Sequence, residues 1–262
     1  KKSASQQTGT VTFTDDELTE IYKDLPNTPK GKIRFTLRTY SDSGYSNQIG
    51  NADYKEVELT IPTSVKPSIT LSVQPSNSNT WIKSKNIYVA GFSEALVTAA
   101  TVESGSGATL PSGAVVISGD GFNVAGYSAR VKLNAPGDFT FLGKATDSRG
   151  RYATDDVKIT VLPYSAPALK SLTIQRGTYS NGSWTAKNDG PDIQVKFSTT
   201  TSLSENTYSA SFKLDGSSVT PSSGAMSACN SGTSYAAYLK TVSANRSHVL
   251  ELVIKDKVGE DG

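Results

Sequence analysis

The stretch from Ala145 to Pro163, with the sequence ATDSRGRYATDDVKITVLP, decides the fold. It starts as the end of one strand and passes through a polar turn at Gly150. It continues as a strand in which apolar residues from Val157 to Val161 occupy every second position. Pro163 has no amide hydrogen to donate, so we expect the strand to end there. The pattern predicts the closing β-hairpin of a small β-domain.

The same pattern recurs along the chain. When Gly44, Gly150 and Gly259 are aligned, the alternating positions that precede them coincide. A slip of one residue would turn each apolar set to the opposite face of its strand. The agreement of all three segments in this alignment therefore supports a repeat. The predicted inward positions are Ile33, Phe35, Leu37 and Thr39; Phe139, Phe141, Gly143 and Ala145; and His248, Leu250, Leu252 and Ile254. Val57, Leu59 and Ile61 match Val157, Ile159 and Val161 in the same way.

The repeat predicts three domains and an all-β fold. About seven short strands in roughly 100 residues are typical of an immunoglobulin-like or fibronectin III-like β-sandwich. We expect tandem sandwiches end to end: a partial domain at 1–66 with a short helix, a sandwich at 67–166, and one at 167–262 that lacks its last strand. The proline-flanked linkers 63–67 and 164–167 are short and stiff, which predicts an extended rod.

One short helix is predicted near the N-terminus, from about residue 15 to residue 24. Thr14 and Glu17 have the spacing of a capping box, in which each side chain binds the backbone amide of the other residue. Leu18, Ile21, Tyr22 and Leu25 then share one helical face, and Pro26 ends the run. We expect this face to pack on a sheet.

Composition argues against two classes of partner. The 26 basic and 24 acidic residues are interspersed and leave a net charge of +2, which predicts no binding to nucleic acid. No apolar run approaches the roughly 20 residues that span a bilayer, so no membrane insertion is expected. Residues 1–7 lack the apolar core of a signal peptide. The chain begins with Lys1 instead of Met, and we expect it to be a piece of a longer array.

The sequence predicts no catalytic residue, cofactor or metal. His248 is the only histidine and Cys229 the only cysteine, which is too few for a zinc site. No nucleophile elbow, phosphate-binding loop or dinucleotide fingerprint occurs. Calcium between domains is conceivable at Asp147 and at Asp155-Asp156, but solvated acids without calcium-loop spacing are the favoured interpretation.

Trp81 and Trp184 are the candidate surface contacts. Each lies in a polar, turn-rich segment near the start of a predicted domain. An exposed indole offers a large contact area at a small entropic cost, and it can stack on a sugar ring. Core packing or shielding of a linker is the competing and favoured interpretation.

The chain resembles the Ig-like repeats of siphophage tail and baseplate proteins, and most closely a streptococcal phage structural-protein family of unknown function. Residues 145–150 and 161–167 carry the resemblance. So do residues 14–40, which include LPNTPKGKIRFTLRTY, and the segment from Ile174 to Gly190. The last segment departs from the pattern, because Pro191-Asp192 stands where a tyrosine-bearing strand is expected.

This resemblance implies a non-enzymatic virion protein of the tail tip or baseplate that acts as a spacer and a host-adhesion rod. Its implied partners are other tail or baseplate proteins, further copies of itself in the virion, and host cell-wall polysaccharide as a candidate ligand. The alternatives are the stalk of a bacterial cell-surface adhesin and an accessory binding region of a cell-wall hydrolase. The resemblance transfers no catalytic or binding residue.

Overall fold

The computed structural model describes residues 10–76, 79–223 and 226–259, and strands dominate these ranges. The elements are α1 (Asp15–Lys23), β1 (Lys30–Tyr40), β2 (Gln48–Thr60), β3 (Ser68–Pro75), α2 (Thr80–Lys85), β4 (Tyr88–Val89), β5 (Ser93–Glu103), β6 (Val115–Gly119), β7 (Phe122–Ala125), β8 (Ser128–Leu133), β9 (Gly137–Thr146), β10 (Tyr152–Leu162), β11 (Ala168–Ser180), β12 (Ser183–Ala186), β13 (Asp192–Thr200), β14 (Tyr208–Leu214), β15 (Ser217–Val219), β16 (Ser234–Leu239) and β17 (Leu250–Asp256).

The predicted all-β fold is confirmed. The sheet orders are β1-β2, β3-β5-β8, β4-β10-β9-β6-β7, β12-β11-β13-β16 and β15-β14-β17. From β3 to β10, and again from β11 to β17, the chain passes more than once between two sheets, as in immunoglobulin-like and fibronectin III-like sandwiches. The predicted closing strand is β10, which lies beside β9.

The N-terminal helix forms as the sequence predicts. The Thr14 hydroxyl accepts a hydrogen bond from the Glu17 amide at 3.3 Å, and the Glu17 carboxylate accepts one from the Thr14 amide at 2.9 Å. Helix α2 was not predicted, because six residues show no clear period. Its only strong sequence signal is Asn79, whose side chain caps the Ile82 amide at 2.9 Å.

The chain divides into two compact units, whose boundaries run through β3, β5, β8, β9 and β10. The predicted domain boundaries after residues 66 and 166 therefore stay predictions. The first unit comprises the described residues of Lys1–Val73, Val97–Ala129 and Thr140–Lys158, and the second those of Gln74–Leu96, Arg130–Phe139 and Ile159–Gly262.

The first unit combines a buried core with an exposed hairpin. Leu71, Ile117 and Phe141 are at most 8% exposed and belong to the core. In the hairpin of β1 and β2, the predicted inward positions do share one face, but Phe35 and Leu37 are 38% and 71% exposed. The prediction that they are buried is wrong, because in the described residues β2 is the only strand beside β1.

The second unit contains two clusters of buried apolar residues. The larger one lies between the sheets β12-β11-β13-β16 and β15-β14-β17, and it includes Phe197, Tyr208 and Phe212. The smaller one gathers Ile82 of α2 with residues from separate loops and strands. Cys229 is buried in the larger cluster, and burial raises the pKa of its thiol, as expected for a packing residue.

Several strand boundaries differ from the prediction. We expect a long turn from Ser41 to Asp53, but β2 begins at Gln48. The pairing of β1 and β2 continues past an irregularity after Leu37, and β2 shows no apolar alternation at this end because both of its faces are exposed. The short strands β7, β12 and β15 were not predicted. The strand expected from Ile87 to Phe92 is only β4.

Candidate functional site

The turn after β9 is built around a buried carboxylate. Asp147 is 2% exposed, and its Oδ1 accepts hydrogen bonds from the amides of Arg149 and Arg151, each at 3.0 Å. Gly150 donates its amide to the Asp147 carbonyl at 2.9 Å. These bonds confirm the predicted turn.

Arg149 binds the end of α1. Its guanidinium group donates to the carbonyl oxygens of Tyr22 at 2.8 Å, Leu25 at 2.9 Å and Ser106 at 2.8 Å. The first two carbonyls belong to the C-terminal end of the helix, where backbone oxygens lack helical partners and a cation is favoured. The side chain is buried, and this desolvation lowers the pKa of Arg149. The contact therefore ties the helix to the turn.

Arg151 extends this contact to the segment that follows β2, and Ser148 extends it to the loop between α1 and β1. Arg151 donates to the carbonyl oxygens of Ile61, Pro62 and Val65, the last at 2.6 Å. The Ser148 hydroxyl donates to the carbonyl of Pro26. Together with Arg149, these residues and their acceptors form what we call the first junction. It fixes the predicted linker through hydrogen bonds to backbone carbonyls.

Gly107 permits the close approach of a loop to the same helix end. A Cβ atom at this position would lie 2.4 Å from the carbonyl carbon of Tyr22. Its φ of +77° also lies in the region that favours glycine. The sequence showed Gly105 and Gly107 only as turn residues, and nothing in it indicated this contact.

An equivalent contact lies in the second unit, around the turn after β17. The Asp256 carboxylate accepts hydrogen bonds from the Gly259 amide at 2.9 Å and from the Asn206 side chain at 3.0 Å. The Tyr164 hydroxyl donates to the same carboxylate, with oxygen distances of 3.1 and 3.2 Å. Burial and Asp256 raise the pKa of Tyr164 to about 12.

Val258 occupies the place in this turn that Arg149 has in the earlier one. It is fully buried against Ile82, Val89 and Leu203. The side chain of Asn79, which caps α2, also donates to the carbonyls of Lys257 and Val258 at 3.1 and 3.0 Å. We call this set, with Asp256 and Tyr164, the second junction. Both junctions place the third residue of a turn against a helix from earlier in the chain.

The two predicted contact residues are both half-buried. Trp81 lies in α2 and packs against the cluster that contains Val258. Trp184 lies in β12, its ring covers Gly177, and its centroid is 5.6 Å from that of Tyr238. The structure does not bring the two tryptophans together, and their role as surface contacts stays a prediction.

His248 lies before β17, although the repeat predicts it as an inward position of a strand. The Nδ1 atom of its ring lies 2.8 Å from the Asp215 carboxylate, which also accepts a hydrogen bond from the Val249 amide at 2.9 Å. The hydrogen bond from the Val249 amide, and to a smaller extent the one from His248, lowers the pKa of Asp215. The other ring nitrogen contacts the Ser243 carbonyl at 3.1 Å. This arrangement anchors a loop.

The acidic residues are dispersed. Asp155 accepts a hydrogen bond from the Leu71 amide at 2.7 Å, and Asp156 is exposed. In the part of the chain that the structure describes, no group of three or more His, Cys, Asp or Glu side chains is placed to hold a metal ion. In the same residues no helix could span a bilayer, and the longer one has nine residues.

One open polar cleft of about 420 Å³ lies in the second unit. Its lining includes the ring of Phe92, the carboxylate of Glu94 and the side chains of Lys132 and Asn134. Glu94 is engaged by Arg130 at 3.1 Å and by Ser76 at 2.9 Å, and these bonds lower the pKa of Glu94.

The fold and the junctions define a class of protein, namely consecutive β-sandwiches with buried turn-to-helix contacts. Residues 1–243 match the model of the family described as "Siphovirus protein of unknown function (DUF859)", and the chain belongs to this family. The resemblance to a siphophage protein family is thereby confirmed, while its streptococcal type stays a prediction.

Two solved structures are similar to parts of the chain. The fibronectin(III)-like modules of Clostridium thermocellum CbhA share 18% identity at a TM-score of 0.31, covering 72% of this chain and 87% of theirs. A Ca²⁺-stabilized adhesin with which an Antarctic bacterium binds ice shares 14% identity at a TM-score of 0.36, covering 84% of this chain and 55% of the adhesin. No curated protein matches the sequence.

Proposed function

We propose that the protein is a non-enzymatic structural component of the virion, located in the tail tip or baseplate, where it serves as a spacer and takes part in host adhesion. The two junctions carry this proposal. A spacer must hold successive domains at fixed geometry, and each junction buries a turn against an earlier helix through several hydrogen bonds or apolar contacts. Family membership supports the association with a siphophage.

The partners in this proposal are other tail or baseplate proteins, further copies of the chain, and host cell-wall polysaccharide. Trp81 and Trp184 are the proposed polysaccharide contacts, because an indole can stack on a sugar ring. Replacing either one by Ala should weaken binding to isolated cell walls. Tyr127→Ala, at a side chain that is 53% exposed, serves as the control. If both tryptophan variants bind cell walls as tightly as Tyr127→Ala does, the two tryptophans are not polysaccharide contacts.

The location is tested by imaging intact phage particles that carry an epitope tag at the exposed turn around Gly113. We expect the label at the tail tip. A label elsewhere in the particle, or only in the lysate, would contradict the proposal.

Deleting the region from the phage separates the two roles. Loss of host-cell binding supports adhesion, whereas unchanged binding with a shorter tail tip leaves the spacer role alone.

A further inference from the structure

The open polar cleft in the second unit has the volume of a small-molecule site. Its volume of about 420 Å³ lies within the roughly 300–1,000 Å³ that ligand pockets occupy. At Gly91, where φ is +80°, a Cβ atom would meet nothing within 4 Å, so the backbone of this turn is open to a ligand. The lining comes from the end of β3, the turn before β5, the start of β5 and the end of β8: Ser76, Gly91, Phe92, Ser93, Glu94, Lys132 and Asn134.

Phe92 supplies an aromatic ring in a fixed position. Its side chain is 36% exposed and packs edge to face against Tyr164, with the ring centroids 4.8 Å apart. The Tyr164 hydroxyl is in turn bound to Asp256. A ring that neighbours already hold loses little side-chain entropy when a ligand binds. The C–H groups on one face of a pyranose sugar are apolar and pack on the electron-rich face of such a ring.

The polar groups around this ring match the hydroxyl groups of a sugar. Arg130 and Ser76 both donate to Oε1 of Glu94, and these bonds keep the carboxylate ionised at neutral pH. No described residue donates to the second oxygen, Oε2, so this atom is left to accept a hydrogen bond from a hydroxyl group. The side-chain amide of Asn134 can both donate and accept.

Lys132 sets the sign of the charge that the cleft favours. Arg130 is paired with Glu94, whereas the ammonium group of Lys132 has no carboxylate within ion-pair distance among the described residues. Glu94 contributes one negative charge, and Arg130 and Lys132 contribute one positive charge each, so one positive charge is uncompensated. An anionic group on a ligand is therefore attracted, and a cationic group is repelled.

We infer that this cleft binds one sugar unit of an anionic polysaccharide. The pyranose ring stacks on Phe92, its hydroxyl groups bind Glu94 and Asn134, and a carboxylate or phosphate substituent pairs with Lys132. Because the cleft is open, the polymer can continue beyond the bound unit. The inference rests on the polysaccharide partner in the proposed function, and it adds a site that contains neither tryptophan.

Titration with monosaccharides tests the site directly. Glucuronate and glucose 6-phosphate should shift the backbone amide signals of residues 91–94 and 132–134 in proton–nitrogen NMR spectra. Glucose should bind about tenfold more weakly, because it lacks the charge that pairs with Lys132. The anion that binds more tightly identifies the substituent as a carboxylate or a phosphate. The inference is overturned if neither anion shifts these signals, or if inorganic phosphate binds as tightly as glucose 6-phosphate, since no sugar ring would then be recognised.

Two variants remove the charge and the ring separately. Lys132→Gln should bind both anionic sugars about tenfold more weakly than the native chain and should bind glucose equally well. Phe92→Leu should weaken the binding of all three sugars. The matched controls are Lys170→Gln and Tyr127→Leu, at exposed side chains outside the cleft, and melting curves verify that every variant folds. Cleft variants that bind the sugars as tightly as their controls do would overturn the inference.

Isolated host cell walls separate this inference from the proposed function. Lys132→Gln and Phe92→Leu should bind cell walls more weakly than their controls. A native chain that binds the anionic sugars but not cell walls supports the cleft and contradicts the adhesion role. A native chain that binds cell walls, together with cleft variants that bind them equally well, supports adhesion and overturns the inference.

Discussion

At the residue scale, the third residue of each junction's turn contacts a helix, but the two residues do so through different chemistry. Arg149 contacts its helix through hydrogen bonds to carbonyl oxygens, whereas Val258 contacts its helix through apolar packing. The sequence repeat predicts that the two turns are equivalent. It does not predict the contacts, because an arginine and a valine share no pattern and their partners lie far away in sequence.

Gly107 allows a test of the first junction. Gly107→Ala should destabilise the first unit more than Gly113→Ala, although the two glycines have almost the same φ, +77° and +76°. Alanine in this conformation costs about 1–2 kcal/mol at either position. At residue 107 the new methyl group also meets the backbone of Tyr22, which adds roughly 1–3 kcal/mol, whereas nothing lies within 4 Å at residue 113. Urea unfolding measures the free energy of unfolding of both variants. An equal loss of stability at the two positions would contradict the close contact of Gly107 with Tyr22.

Tyr164 gives the second junction a signature at alkaline pH. The pKa of this hydroxyl is about 12 in the fold, whereas an unfolded tyrosine has a pKa of ~10. A group whose pKa is raised by folding stabilises the fold fully below the unfolded pKa, and this contribution is lost as the pH rises through the folded pKa. The native chain should therefore lose stability between these two pKa values.

The matched variants are Tyr164→Phe and Tyr152→Phe, the latter at a side chain that is 56% exposed. Thermal midpoints measured across the alkaline range should fall less steeply for Tyr164→Phe than for the native chain. Tyr152→Phe should follow the native chain. A Tyr164→Phe curve parallel to the native one would show that the burial of Tyr164 and its contact with Asp256 do not govern this loss of stability.

At the element scale, apolar periodicity and capping residues predict the long, regular helices and strands. Helix α1 and strands such as β9 and β10 follow their patterns, because one face of each is buried or half-buried. Strand β2 starts earlier than predicted because solvent on both faces removes the alternation. Helix α2 and the short strands are set by contacts with distant residues, such as those of Asn79, which a local pattern does not contain.

Strand β10 offers a test of the predicted inward face. Ile159 is 8% exposed, so Ile159→Asp buries an unpaired carboxylate. This costs at least several kcal/mol and should unfold the sandwich that β10 closes. Lys158→Asp, on the exposed face of the same strand, should change stability by no more than about 0.5 kcal/mol. Melting followed by circular dichroism compares the two; an unchanged profile for Ile159→Asp would refute the inward assignment.

At the scale of the whole molecule, the sequence predicts an extended particle from its short, proline-flanked linkers. A compact chain of this length would have a radius of gyration of roughly 18 Å. Small-angle scattering should give a clearly larger value and a maximum dimension far above that of a sphere. A compact particle would contradict the expected rod.

The candidate site illustrates where sequence reasoning ends. The repeat locates both turns, and the tryptophans are visible as isolated aromatic residues. The hydrogen bonds from Arg151 to three carbonyl oxygens could not be predicted. Every residue has a backbone carbonyl, so the sequence does not indicate which ones accept. The close approach of Gly107 to Tyr22 also requires the structure, since the sequence shows this glycine only as a turn residue.

The bond between Arg149 and the end of α1 has a consequence for the time course of synthesis. The two residues that it joins are 127 positions apart. At about 5–20 residues per second, a ribosome needs roughly 6–25 s to make the chain between them. During this interval the Tyr22 carbonyl has local backbone donors, such as the Leu25 amide, but lacks the guanidinium group of Arg149. The first junction is therefore a late event of biosynthesis, and it forms only after the turn behind β9 has emerged.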